Sequence, residues 1–465
     1  MKKLPPILSL AAMVLLPCAV AQSTANSLFP PDSEIRPVLV DRIDKEHQSI
    51  GIVVGVIEPA GRRVIAYGSL DKGDKRALDG DTVFEIGSVT KVFTSLLLAD
   101  MVQRGEVALT DPVAKYLPPG VKVPERGGRQ ITLQDLATHT SGLPRLPPNL
   151  APKDPANPYA DYSVEQLYQF LSSYQLTRDI GSQYEYSNLG GGLLGHVLAR
   201  RAGMDYETLV RSRICEPLGM KSTGITLSAG MKSRMAVGHD RSLDAVENWD
   251  LPTLAGAGGL RSTANDLLTF LAANLGYTKS PLAPAMAAML ATRRPTDVPG
   301  LEIGLGWHIL TKDGREIIWH NGGTGGFRTF IAFDPKSRTG VVALSNTSTM
   351  TGVDDIGRHL LDANVPLAQP PKEHKQVAVD TKLFDKYVGR YELAPTFVVT
   401  VTREGDRLFG QATGQSKFEM FPEGEKEYFL KIVDAQITFE TDGNGKVTGL
   451  ILHQNGVNKF GKRAE

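Results

Sequence analysis

The sequence predicts an α/β sandwich followed by a small all-β barrel. Three observations carry this expectation. β-Branched runs near the start of the chain, 51–57 and 64–67, return late as 316–319, 330–333 and 341–344, so one sheet is assembled from both ends. The stretch between them, from about 107 to 300, reads as helices and loops. Beyond a proline-rich break, short apolar runs separated by turns take over. At 465 residues the chain also exceeds one ordinary core, which makes two domains the starting expectation.

The elements follow in order. Lys2 and Lys3 precede an apolar stretch from Ile7 to Val20, broken by Pro17, and Ala19-Val20-Ala21 offers small residues at an A-x-A cleavage site. This reads as a cleavable signal peptide over 1–21, and the protein is expected in a periplasm or the medium. The stretch is short for a spanning helix, and no other segment reaches about 18 uninterrupted apolar residues, so no membrane span is expected. A lipoprotein is the alternative: Leu15-Leu16-Pro17-Cys18 resembles a lipobox, with proline where a small residue belongs. Without Cys18, Cys215 is alone, which leaves no intrachain disulfide and no cysteine-based metal site; it reads as a small core residue.

Lys+Arg and Asp+Glu both number 51, and a net charge of zero gives no electrostatic case for nucleic acid or an anionic membrane. A helix is expected from Ser88 to Gly105, with Val92, Phe93, Leu96, Leu97 and Met101 on one face. Three further helices are marked by Leu167/Phe170/Leu171, by Leu193/Leu194/Val197/Leu198 after a glycine run, and by Leu267/Leu268/Phe270/Leu271. The expected domains are 22–365, a solvated and structureless linker at 366–382, and a barrel at 383–465 with strands at 397–401, 407–409, 428–430, 436–439 and 450–452. Asp442-Gly443-Asn444-Gly445 reads as a turn rather than a calcium loop, whose other ligands are missing.

Three constellations carry chemistry. In Gly87-Ser88-Val89-Thr90-Lys91, a serine at a helix start has a lysine one turn on. The lysine is positioned to take the hydroxyl proton, and the helix N-terminus presents N–H groups to a developing oxyanion. The plainer alternative is an N-cap serine with a solvated lysine. In Tyr186-Ser187-Asn188, a phenol whose ordinary pKa is near 10 becomes a usable base beside a lysine ammonium, and Asn188 offers a donor and an acceptor. The alternative is a turn tyrosine before a helix. In Trp319-His320-Asn321-Gly322-Gly323, straight after a strand, glycines admit close backbone approach. The Gly323 N–H is a candidate partner of the Ser88 N–H in an oxyanion hole, and His320 is expected to point into the site; the alternative is a loose glycine loop. His139 reads as structural. The sequence lacks G-x-S-x-G, H-E-x-x-H and a P-loop.

The order S-x-x-K, Y-x-N and a K-T-G-like triplet, at separations of about 95 and about 130 residues, resembles the class C β-lactamases and the related D-alanyl-D-alanine carboxypeptidases, D-aminopeptidases and esterases. Connecting segments agree: Phe84-Glu85-Ile86-Gly87, His139-Thr140-Ser141-Gly142-Leu143-Pro144, Pro217-Leu218-Gly219-Met220 and Gly304-Leu305-Gly306-Trp307. The resemblance spans about 45 to 350. It implies an antiparallel sheet plus a helical subdomain of the serine β-lactamase/DD-peptidase type, with the site in the cleft between them. It implies Ser88 as the acylated serine, Lys91 and Tyr186 as its proton-handling partners, and Asn188, His320, Gly322 and Gly323 as substrate-binding groups. His320 departs from the lysine of most class C β-lactamases, and Asn321 from their threonine or serine. The barrel looks like the lipocalin-like domains attached to some peptidases of the family.

The expected function is therefore hydrolysis through a Ser88 acyl-enzyme, with no cofactor and no metal. β-Lactams come first as substrate. D-alanyl-D-alanine carboxypeptidase or D-aminopeptidase, esterase, and a non-hydrolytic penicillin-binding sensor are the alternatives. The partner is a small-molecule β-lactam or D-amino-acid peptide; Arg328 is a second candidate for its carboxylate. No role or protein partner is assigned to the barrel.

Overall fold

Strand Gly51–Glu58 is buried along its whole length, and its side chains divide between two cores. Val53 and Ile57 enter one hydrophobic cluster, while Ile52, Val54 and Val56 enter another. That period-two division is what a strand covered on both faces requires. In this computed structural model, which describes residues 27–369, 374–394, 397–413, 417–431, 433, 435–454 and 457–464, the strand lies second in an eight-stranded sheet. The order is Gly61–Gly68, Gly51–Glu58, Thr339–Ser345, Arg328–Asp334, Arg315–Gly323, His308–Lys312, Leu301–Ile303 and Arg294–Pro295. Every pairing is antiparallel. The sheet closes from both chain ends as expected. The stretch 1–21, expected to be a signal peptide, lies outside the described residues together with Cys18.

One face of the sheet is covered by the helices Asp32–Val40 and Asp354–Leu361, through Ile35, Leu39, Ile356 and Leu360. The other face carries the larger core and the helical insertion. Helix Thr90–Gln103 runs through the middle of that core. Its apolar positions predicted one buried face; instead every residue from Thr90 to Met101 is buried. The helix is enclosed by the sheet on one side and by the helical region on the other, so Thr94 turns its hydroxyl onto the Thr90 carbonyl at 3.2 Å and the Gly256 carbonyl at 2.8 Å. The glycine run, expected before a helix, lies inside one: Asn188–Ala202 contains Gly190, Gly191 and Gly192. Cys215 is buried, as expected of a core residue.

The C-terminal region is a closed barrel of eight antiparallel strands, from Gly389–Ala394 to Val457–Arg463, whose first and last strands pair through Tyr391↔Arg463. Its core stacks Tyr387 on Phe439 at 4.1 Å, with Tyr391 and Tyr428 packed beside them. Asp442 spends its carboxylate on the N–H groups of Asn444 and Lys446, which makes the Asp442–Gly445 segment a turn. The described part of 366–382 is less free than its composition suggests. Ala368 N–H donates to Asp355, Val377 N–H donates to the Pro422 carbonyl, and His374 pairs with Glu423. Among the described residues no helix is long and apolar enough to cross a membrane.

Candidate active site

Gly87–Val89 forms a single 3₁₀ turn before the buried helix, and Gly87 and Val89 are buried in it while Ser88 is partly open. Lys91, one turn further, places Nζ 2.9 Å from Ser88 Oγ, 2.9 Å from Asn188 Oδ1 and 2.6 Å from the Ala257 carbonyl oxygen. The side chain is 2% exposed. Burial therefore pushes its pKa well below the usual lysine value, and the positive charge of Arg145 pushes the same way. Two of its three partners can only accept. A neutral amine gives its two N–H groups to Asn188 Oδ1 and Ala257 O and turns its lone pair to the one partner that can donate, the Ser88 hydroxyl.

Tyr186 lines the cleft beside Ser88, with Lys91 Nζ 4.8 Å and Arg145 Cζ 5.1 Å from its ring centroid. Burial pushes its phenol up to about 12, although the nearby Ser88 hydroxyl and Arg145 pull it down. This reverses the sequence expectation of a phenolate stabilised by a lysine ammonium. In a site this enclosed, desolvation outweighs mutual attraction and works against the charged form of both groups. The Tyr186 loop is clamped to the 139–145 loop. His139, as expected, is structural: its Nδ1 accepts the Ser187 N–H at 3.1 Å and its carbonyl accepts the Glu185 N–H at 2.8 Å. Ser187 caps the helix Asn188–Ala202 by accepting the Gly190 N–H. Gly191 then passes over Lys91; a Cβ there would sit 3.0 Å from Lys91 Cε.

The third constellation ends strand Arg315–Gly323. Past Trp319, which pairs with His308, this strand has no further partner on that side, while Gly322 and Gly323 pair on the other side with Thr329 and Arg328. A Cβ on Gly322 would lie 2.0 Å from the Ile86 carbonyl oxygen and 3.1 Å from Ser88 N. Only glycine allows this approach. Gly322→Ala is expected to force the strand off the serine turn, cost about 1–3 kcal/mol of stability and slow labelling by a fluorophosphonate about 100-fold. A melting curve with a timed labelling course checks this; an unchanged labelling rate contradicts it.

His320 was expected on the wall of the site. It is instead fully buried beneath the cleft, with Nδ1 2.6 Å from the Asn321 carbonyl oxygen and Nε2 without a hydrogen-bond partner. Its ring lies 5.2 Å from His308 and 6.3 Å from Tyr186. Burial, then His308 and Lys91, push its pKa well below 6.5. Its side chain is neutral, and it does not replace a lysine's charge beside a substrate.

The cleft has a volume of about 710 Å³, and Ser88, Tyr186, Asn188, Gly322 and Gly323 all line it. Lys91 lies under its floor. The motifs missed much of the rest of the wall: Arg145, Tyr159, Tyr184, Trp249 and His308. Trp249 meets Tyr159 edge-on at 5.5 Å, Asn188 Nδ2 reaches the Tyr159 hydroxyl at 3.5 Å, and His308 stacks on Trp319 at 4.6 Å. Arg328 lines the cleft too, but its guanidinium donates to four backbone carbonyls, those of Thr349, Thr324, Phe327 and Ser348. It ties two loops together and has little left for a carboxylate. Among the described residues no group of three or more His, Cys, Asp or Glu side chains is arranged to hold a metal ion.

Residues 38–364 match the family model described as Beta-lactamase, and residues 373–461 match one described as a domain of unknown function (DUF3471). D-alanyl-D-alanine-carboxypeptidase/endopeptidase AmpH of Escherichia coli (strain K12) is 34% identical over 380 residues, covering 76% of this chain and 97% of AmpH. Penicillin-binding protein 4* of Bacillus subtilis (strain 168) is 25% identical over 454 residues, 90% of this chain and 96% of its own length. Among solved structures, a class C β-lactamase from Rhodobacter sphaeroides superposes with a TM-score of 0.59 at 29% identity, covering 68% of this chain and 95% of that one. A β-lactamase/D-alanine carboxypeptidase from Yersinia pestis gives 0.60 at 29%, covering 69% and 93%. With the family match extending over most of its length, the chain belongs to the β-lactamase family of serine hydrolases.

Proposed function

We propose that the protein hydrolyses peptides ending in D-alanine through a Ser88 acyl-enzyme, and that β-lactams acylate the same serine. The observation that carries this reading is the Ser88–Lys91–Asn188 constellation at 2.9 Å separations, open to a cleft on one side and dry on the other. The Ser88 oxygen attacks the substrate carbonyl carbon while its proton passes to the Lys91 amine. The N–H groups of Ser88 and Gly323 receive the oxyanion. Tyr186 gives its hydroxyl proton to the departing amine and is reprotonated from Lys91. Water then attacks the acyl carbon, its proton passes back through the same pair, and the Ser88 hydroxyl is restored. The free side of the strand end Asn321–Gly323 offers backbone groups to an extended substrate.

Peptide substrates are placed first because AmpH resembles this chain over 97% of its own length and because His320, neutral and buried, does not supply the positive charge of the family's usual lysine. β-Lactam hydrolysis, first in the sequence reading, is the second reading, supported by the likeness to the R. sphaeroides class C β-lactamase. The test is product analysis with three substrates: a peptide ending in D-alanyl-D-alanine, benzylpenicillin and a neutral ester. Release of D-alanine faster than penicilloate is expected. Penicilloate formed faster favours the second reading, and a penicillin adduct with no product in any reaction means a sensor.

We further propose that 22–365 and 383–465 are separate folding units, in line with family matches that end at 364 and begin again at 373, and that the chain is exported with removal of 1–21.

A further inference from the structure

Among the described residues the cleft wall carries two guanidinium groups and no carboxylate side chain. They are not equivalent. Arg328 is committed to four backbone carbonyls. Arg145 is exposed, and its side chain makes no hydrogen bond or ion pair among the described residues. Its guanidinium lies 5.1 Å from the Tyr186 ring centroid.

The backbone sets that position. The Arg145 carbonyl accepts the N–H groups of Asn188 and Leu189 at 3.0 and 3.1 Å, and the preceding Pro144 carbonyl accepts the Ser187 hydroxyl at 2.7 Å. The loop is thus pinned to the start of the helix that bears Asn188, and the side chain is left over. A cation on the same cleft wall as the reacting serine, with its donors unspent and an aromatic ring 5.1 Å away, is half of a bidentate pair. The aromatic wall of Tyr159 and Trp249 suits the apolar part of the same molecule.

We propose that Arg145 is a specificity-determining residue that pairs with a carboxylate of the substrate, a role that rests on the reading of Ser88 as the acylated nucleophile. The carboxylate belongs either to the acyl part or to the leaving part of the substrate, and the test distinguishes the two. The full chain and its Arg145→Gln and Arg145→Lys variants are compared on two matched substrate pairs. In one pair a free carboxylate on the acyl part is replaced by its methyl ester; in the other the same change is made on the leaving part. kcat and KM are measured at a pH where the wild-type profile is flat.

In one of the pairs, Arg145→Gln is expected to lose about 10- to 100-fold more kcat/KM on the carboxylate member than on its ester. The loss should lie mainly in KM, and Arg145→Lys should recover part of it. The pair that shows the difference locates the carboxylate. Equal losses on both members of both pairs would mean that Arg145 acts on the loop or on Lys91, and would overturn the proposal, as would no loss at all. Fluorophosphonate labelling separates the two levels of failure. Wild type unlabelled at Ser88 removes the nucleophile on which the role rests; variants that label normally but lose all substrates alike remove only Arg145.

Discussion

Ser88→Ala is expected to abolish acylation and lower kcat/KM by roughly 10⁴-fold or more, as loss of a nucleophile does in serine hydrolases. The fold should survive. Ser88 is partly exposed at the end of a turn, and its side-chain contacts are the Lys91 amine and the Tyr186 phenol. Melting should therefore shift by little, while a fluorophosphonate leaves no adduct. Residual labelling at another residue of the variant would move the nucleophile elsewhere in the cleft.

Lys91→Met should come next in size, with a fall of about 10³-fold. The methionine fills the same volume beneath Gly191 but takes no proton. The pH dependence tells which group is the base. If the working form of Lys91 is the neutral amine, kcat/KM is flat above its depressed pKa and falls as pH drops through it, because protonation fills the lone pair that the Ser88 hydroxyl needs. Tyr186, pushed up to about 12, stays protonated throughout that plateau. Tyr186→Phe is then expected to lower the plateau and keep the acid limb. Disappearance of that limb in Tyr186→Phe would assign it to the phenol and restore the tyrosine as base.

The main architecture was legible where apolar residues follow a strict period. The strands at 51–57 and 341–344 are β-branched because both faces of their sheet are covered. The barrel strands missed by pattern show why others are not. Gly389–Ala394 buries only Tyr391 and Leu393 and is otherwise Gly389, Arg390, Glu392 and Ala394, so a wall strand with one wet face reads as a polar segment. The sheet-edge pieces Arg294–Pro295 and Leu301–Ile303 are too short to show a period at all.

The site divides the same way. Ser88, Lys91, Tyr186, Asn188, Gly322 and Gly323 come together from three distant segments, because each belongs to a motif whose spacing is set by a helix turn or a strand end. What spacing does not encode is depth. His320 and Asn321 are neighbours in one strand, yet the first is fully buried and the second is exposed and bonded to Asp354 at 2.5 Å. That difference takes His320 off the cleft wall, into which it was expected to point. Arg145, Tyr159 and Trp249 stand on loops of no periodicity, and only the fold brings them to the cleft. Arg145 alone had a nearby signal, as the residue after the His139–Pro144 segment.

The most direct measurement is intact-protein mass spectrometry of the wild type mixed with benzylpenicillin and followed over time, with peptide mapping of the adduct. A single penicilloyl group on the peptide containing Ser88, absent in Ser88→Ala, is the expected result. An adduct on any other residue, or hydrolysis that continues unchanged in Ser88→Ala, would contradict it.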